Sequence, residues 1–239
     1  MSQFTRTEML LGADSMAQLH AARVAVFGVG GVGGFTAEAL IRAGVGSITL
    51  VDNDTVALSN LNRQIIALHS TLGRSKVQVM AERLRDINPS ASITCHEMFY
   101  LPENADAIDL SQFDYIIDAV DTVAAKLELI TRADRLGVPI ICAMGAGNKL
   151  DPTKIVITDI YKTSICPLAR VIRTQCKKRC IRRLKVAYST EPALHPAPTD
   201  EPTSRRATPG SVSFVPSVMG LIIAGEVVRD ITSKKSSAT

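Results

Sequence analysis

Two cations, an amide and three carboxylates stand out by type and spacing: Arg63 and Lys76, Asn60, and Asp52, Asp54 and Asp121. Each is expected at the C-terminal end of a strand or in the loop after one, the edge where open α/β sheets put ligands. Ahead of them runs Gly28-Val29-Gly30-Gly31-Val32-Gly33-Gly34. Gly28, Gly30 and Gly33 have the G-x-G-x-x-G spacing that lets a backbone approach a phosphate at a helix N-terminus. Asp52 follows Gly33 by 19 residues, where an acid can hold a ribose hydroxyl. Cations that take charge developing on phosphates, with a carboxylate holding a metal, fit a triphosphate with magnesium. Each residue alone has a plainer reading: Arg63 and Lys76 as solvated surface, Asp121 as a helix N-cap before Thr122. An NAD-dependent dehydrogenase would use the glycines and Asp52, but it leaves Asn60, Arg63, Lys76 and Asp121 without tasks.

These residues need a scaffold. Val24-Ala25-Val26-Phe27 is an apolar run, and Phe35 to Ala43 repeats apolar residues at helical spacing, giving strand, tight turn and helix. Ile48 to Val51 is a second strand, ending at Asp52. Gly73-Arg74-Ser75-Lys76 opens a helix to about Asn88, and Pro89 stops it. Ser92 to Met98 reads as a strand, and Tyr115-Ile116-Ile117 as a buried parallel strand leading into Asp118-Ala119-Val120-Asp121. A helix from Thr122 to Leu136 ends at Gly137, and Pro139 to Ala143 is the next strand, with Cys142 in the core. The alternation predicts an α/β fold with a doubly wound, Rossmann-like, mostly parallel sheet.

Residues 1–150 read as the nucleotide-binding core, led in by a short helical stretch over residues 1–20. Residues 151–239 read as an extension packed on the same domain: a strand over Lys154–Ile160, a basic helix over Pro167–Leu184 with Val171, Ile172, Ile181 and Leu184 as its apolar face, a mobile loop over about 190–211, then an apolar helix. Glu191 to Gly210 carries five prolines, which is loop composition. Val215 to Ile231 is near the length of a membrane span, but Pro216 and Glu226 interrupt it and predict a buried helix instead. No membrane association is expected. Ser233 to Thr239 is a polar tail.

With 239 residues the chain can bury a full core without staples. Its five cysteines are an odd number with no Cys-x-x-Cys pair, which argues against a disulfide framework and a zinc knuckle. Met1 to Leu11 has no apolar core of signal-peptide length. The expected compartment is the reducing cytoplasm. Net charge is only +4, yet Ile160 to Thr190 holds nine Lys/Arg and no Asp/Glu. Such a segment suits a polyanion. Arg170, Arg173, Lys177, Lys178, Arg179, Arg182 and Arg183 are the candidates to meet RNA phosphates. Their plainer reading is a solvated helix face.

Arg23 to Gly147 resembles the ubiquitin-activating-enzyme-like adenylyltransferases. The resemblance is carried by the glycine stretch, Val51-Asp52-Asn53-Asp54, Ser59-Asn60-Leu61-Asn62-Arg63-Gln64, Gly73-Arg74-Ser75-Lys76-Val77 and Asp118-Ala119-Val120-Asp121. It implies that a carboxylate attacks the α-phosphate of ATP, giving an acyl-adenylate and pyrophosphate. It implies that Asp52 holds the ribose, that Asn60, Arg63 and Lys76 bind phosphates, and that Asp121 positions magnesium. Arg6 matches the arginine that reaches the partner subunit's site in that superfamily's dimers, so a homodimer is implied. The zinc-bearing members carry two Cys-x-x-Cys pairs. Here Cys176 and Cys180 have no second pair, so no zinc is expected.

The C-terminal half resembles one branch, the tRNA threonylcarbamoyladenosine dehydratases, through Arg6 to Gly12, Met144 to Lys149, Asp159 to Thr163, Tyr188 to Glu191 and Gly210 to Pro216. That branch implies ATP-dependent ring closure of a threonylcarbamoyl group on an adenosine beside the tRNA anticodon. It leaves open a monovalent cation and a sulfur-transfer partner protein, with Cys166, Cys176 and Cys180 as relay candidates. The alternatives are an adenylyltransferase for a ubiquitin-like sulfur carrier, which shares the ATP site, and a non-enzymatic nucleotide-sensing RNA-binding module.

Overall fold

In the computed structural model, residues 2–197 and 209–233 are described. Seven strands form one sheet: β1 (Arg23–Phe27), β2 (Ser47–Val51), β3 (Ser92–His96), β4 (Tyr115–Asp118), β5 (Ile140–Ala143), β6 (Ile155–Asp159) and β7 (Lys185–Ser189). Their order is β3-β2-β1-β4-β5-β7-β6, and every pair is parallel except β6 with β7. The order reverses between β1 and β4. The connections that follow these two adjacent parallel strands therefore leave in opposite directions and open a crevice at the strands' carboxyl ends.

Helices cover both faces, as continuous burial along the central strands demands. From β1, Val24 and Val26 face one cluster with α3 (Gly33–Ala43), α4 (Lys76–Ile87) and α7 (Phe214–Ser233), while Ala25 and Phe27 face the other with α5 (Val123–Leu136). α6 (Pro167–Lys178) packs beside α5 through Ala169, Ile172 and Cys176. α7 is the apolar helix expected at the C-terminus. Ile223 and Val227 are fully buried, each contributing about 1.5–3 kcal/mol by leaving water. Gly220 makes its approach possible: a Cβ there would stand 2.4 Å from the Val32 carbonyl. Thr36 Oγ1 closes the contact by donating to the Gly220 carbonyl at 3.1 Å. Among the described residues no helix is long and apolar enough to cross a membrane.

Three expectations shift. The N-terminal lead-in is two helices, α1 (Thr5–Leu11) and α2 (Ala13–Ala21), broken at Gly12, whose φ is +82°. The basic helix stops at Lys178 instead of Leu184. Arg179 caps it, Cys180 takes a left-handed φ of 58°, and the Ile181 N–H turns back to the Cys176 carbonyl at 3.0 Å. Val171, expected on the apolar face, is exposed, and Ala169 and Cys176 join Ile172 in its place. The third shift is β7, a buried strand missed because its residues follow the basic run without punctuation. The loop expected over 190–211 falls largely on residues 198–208, and the polar tail on 234–239; both lie outside the described residues.

Candidate active site at the strand-order reversal

The glycine stretch leaves β1 and turns at Gly28, where φ is +89°. A Cβ on Gly28 would lie 2.6 Å from the Ala119 carbonyl oxygen, and one on Gly33 only 1.8 Å from the Gly28 carbonyl oxygen. These two glycines are required by the fold itself. Gly30 is different: the nearest atom to a Cβ there would be Gln64 Nε2, at 3.8 Å. The protein does not fill the space over Gly30, and α3 begins beside it, with the positive end of its dipole.

The carboxylates and cations close around this turn. Asp52 accepts the Val29 N–H at 2.6 Å through one oxygen and the Asp54 N–H at 2.9 Å through the other. It ties the glycine turn to the end of β2. Lys76 is buried at the start of α4, and its ammonium meets Asp54 Oδ2 at 2.7 Å. Asn60 is buried in a short 3-10 turn, and its side-chain oxygen accepts the Ala57 N–H at 3.1 Å. Arg63 uses Nη1 to donate to the Ser59 carbonyl and to Asn62 Oδ1, each at 2.8 Å. Asp121 is exposed, two residues past Ala119, whose atoms line Gly28 and Gly33. The N-cap of α5 is Thr122, not Asp121, so capping does not account for that carboxylate.

One residue had no task in the sequence. Gln64 is buried next to Gly30, and its Oε1 has no hydrogen-bond partner among the described residues. An orphaned polar atom there costs about 1–3 kcal/mol unless a ligand meets it. The orphan, the open space over Gly30 and the α3 N-terminus together fit a phosphate-bearing nucleotide.

A family model, the ThiF family, matches residues 4–239. The chain belongs to the ThiF family. It is 43% identical to the tRNA threonylcarbamoyladenosine dehydratase of Bacillus subtilis, over 96% of this chain and 94% of that protein. It is 34% identical to the enzyme of the same name from Escherichia coli, over 97% of this chain and 94% of that protein. A crystal structure of that E. coli protein, TcdA, in complex with ATP superposes with a TM-score of 0.89, covering 99% of this chain and 96% of the other.

Among the other residues expected at a ThiF-family site, Arg6 does not join the cluster. It is exposed on α1, which is anchored by Phe4 edge-on to His20 at 5.4 Å. His20 in turn lies beside Gly44, near the start of β2 and on the edge opposite the glycine turn. The basic residues divide. Arg170, Lys177, Lys178, Arg179, Arg182 and Arg183 are exposed. Arg173 is half-buried, and its Nη1 donates to the Thr163 carbonyl at 2.8 Å and hydroxyl at 2.7 Å, bolting α6 to the chain before it. Arg183 and Lys185 line a cavity of about 660 Å3 with Tyr115, Pro139, Asp159 and Asp230. That cavity opens where the parallel strands begin, away from the nucleotide cluster.

The cysteines are unevenly placed. Cys142 and Cys176 are buried; burial, with the Asp118 charge adding to it, pushes the Cys142 thiol well up, and burial pushes Cys176 up to about 11. Both are protonated at neutral pH and poor nucleophiles. Cys166 is buried as the N-cap of α6, accepting the Ala169 N–H, and Cys180 is exposed. Among the described residues no group of three or more His, Cys, Asp or Glu could hold a metal ion.

Proposed function

We propose that this protein uses ATP to dehydrate N6-threonylcarbamoyladenosine in tRNA to its cyclic form. The observation that carries the reading is the cluster at the strand-order reversal: an unfilled space over Gly30, an orphaned Gln64 oxygen, Asp52, Asn60, Arg63 and Asp121 on the loops around it, and Lys76 at the start of α4. The high identity to named dehydratases over nearly the full length of both chains supports the substrate.

In this reading Asp52 holds the ribose while keeping its two backbone bonds. Gly28, Gly30 and Gly33 let the α3 amides approach the phosphates. Arg63, Lys76 and Asn60 take the phosphate charge, and Lys76 turns from Asp54 to do so. Asp121 would hold Mg2+, which would supply charge neutralisation on the phosphates. The threonine carboxylate attacks the α-phosphorus and expels pyrophosphate. The carbamoyl nitrogen then attacks the acyl carbon, loses its proton and expels AMP, so the net change is loss of water. The nucleophile is on the substrate, so holding it near the acyl carbon supplies the rate, and no protein thiol is needed. The exposed cations from Arg170 to Arg183 bind tRNA phosphates. The working form is a homodimer in which Arg6 reaches the partner's phosphates, located in the cytoplasm. Residues 151–239 act as an extension of the nucleotide domain that supplies the RNA contacts.

The test is AMP release from ATP with tRNA carrying threonylcarbamoyladenosine, set against a carrier protein ending in Gly-Gly. Release with the tRNA alone is expected. Release with the carrier alone would turn the reading to sulfur-carrier activation.

A further inference from the structure

Lys126 and Asp118 form an ion pair at 2.9 Å in which both side chains are 0% exposed. Two charges removed fully from water are a weak stabilising device, because desolvation offsets most of the attraction. A packing role would be served as well by two apolar side chains. The pair's connections suggest another task. Asp118 is the last residue of β4, and its other oxygen accepts the Val120 N–H at 3.2 Å, closing the turn that presents Asp121. Lys126 stands in the first turn of α5, and its ammonium also donates to the Ala143 carbonyl at 2.7 Å, the last residue of β5. One buried ammonium thus joins the carboxyl ends of two neighbouring strands and the start of the helix between them. The backbone it fixes is also the wall of the glycine turn, through Ala119 against Gly28 and Gly33.

We infer that Lys126 is a positioning residue for the adenylation step, acting through the Asp118 turn to hold Asp121 against the nucleotide. The inference rests on the reading of Asp121 given above. An apolar isostere would keep the packing but release the turn. A side chain that aims a charge at the reacting phosphate matters in the transition state more than in binding.

The experiment compares Asp118→Leu/Lys126→Met with the wild type and with Asp121→Asn. The double variant removes both charges together, so no lone buried charge remains. It is expected to fold and to keep its KM for ATP within about threefold while kcat falls at least tenfold. Adding Asp121→Asn to it should lower kcat no further, since both changes act through one carboxylate. If the double variant does not fold, Asp118→Asn/Lys126→Met serves in its place: it keeps the size and the acceptor for Val120 while removing both charges, and kcat should fall at least fivefold at constant KM. A folded variant with wild-type kcat, or a kcat loss that multiplies with that of Asp121→Asn, overturns the inference. Near-normal activity of Asp121→Asn itself would instead remove the reading of the site on which the inference stands.

Discussion

At the scale of single residues the glycine stretch separates two demands that one motif hides. Gly33 has no room for a methyl group, whereas Gly30 has protein no nearer than 3.8 Å. Gly33→Ala should therefore lose the fold or much of its thermal stability, because overpacking against a backbone carbonyl cannot relax. Gly30→Ala should keep its melting temperature within about 2 °C, since a methyl that meets only Gln64 at 3.8 Å costs at most ~0.5 kcal/mol. Its Cβ intrudes only where a phosphate is proposed to lie, so its ATP affinity should fall. Thermal melts with and without ATP–Mg2+ read both effects. A Gly30→Ala protein stabilised by ATP as strongly as the wild type would move the phosphates elsewhere. Where residue type and spacing carry the signal, as at Asp52, Arg63 and Lys76, placement around the glycine turn was legible in the sequence, while what they bind belongs to the proposal. Gln64 was not, because a glutamine's meaning here is the missing partner of one buried atom, and no spacing encodes that. The bonds between Lys76 and Asp54, and between Asp52 and Val29, were equally unreadable.

At the scale of elements, strands and helices followed from apolar periodicity wherever Gly or Pro marked their ends, as at Pro89 and Gly137. They failed between Lys178 and Ser189, where a left-handed Cys180 ends the helix without a glycine and the next strand begins within five residues. The consequence is functional, since Arg182 and Arg183 lie on a loop at the edge where β7 begins. That edge lies a strand length, roughly 17 Å along the strand axis, from the opposite edge that carries the nucleotide cluster. Reversing Lys177, Arg179, Arg182 and Arg183 to Glu should weaken tRNA binding and reduce the slope of log K against log salt by roughly one unit for each lost contact. ATP affinity should not change. Unchanged tRNA affinity and slope in a filter-binding series would make the segment ordinary solvated surface. At the same edge α7 is latched by its last turn. Lys185 meets Glu226 at 2.7 Å and Asp230 at 2.6 Å, and Tyr115 donates to Asp230 at 2.6 Å. The Lys185 bond holds Glu226 below its ordinary 4.5 despite burial. Burial lowers Lys185, but Asp230 and Glu226 outweigh it and hold it above its ordinary 10.5. The signs oppose: the Glu226 contribution is present above pH 4.5 and lost as pH falls, and the Lys185 contribution is present below pH 10.5 and lost as pH rises. Between pH 5 and pH 3 the wild type should lose about 2–4 °C more than Glu226→Gln, the equivalent of ~1 kcal/mol for a partly exposed pair. Parallel curves would show that the latch carries no net stability.

At the scale of the whole molecule, the single chain leaves α1 with no buried residue, Met9 80% and Leu10 88% exposed, and Arg6 beside them without a hydrogen bond or ion pair to the described residues. Leu221 and Phe214 on α7 are about half exposed as well. A helix this poorly packed gains little from its own chain, and a second copy would bury what it presents. If Arg6 serves the partner's phosphates, two inactive proteins should repair each other. Arg6→Ala lacks the reaching cation at both sites, and Asp121→Asn lacks the carboxylate at both. After mixing and exchange of subunits, half of the dimers carry one chain of each kind. In those, the chain with Asp121 intact receives Arg6 from its partner and forms one complete site, while the other site lacks both. Activity should rise from near zero to roughly a quarter of the wild type, a ratio fixed by two-fold closure alone. The recovery should vanish if exchange is prevented, and it should be absent when one chain carries both substitutions. No recovery after exchange proven by mass spectrometry would place Arg6 at its own chain's site or at none, and the exposed face of α1 would then need another occupant.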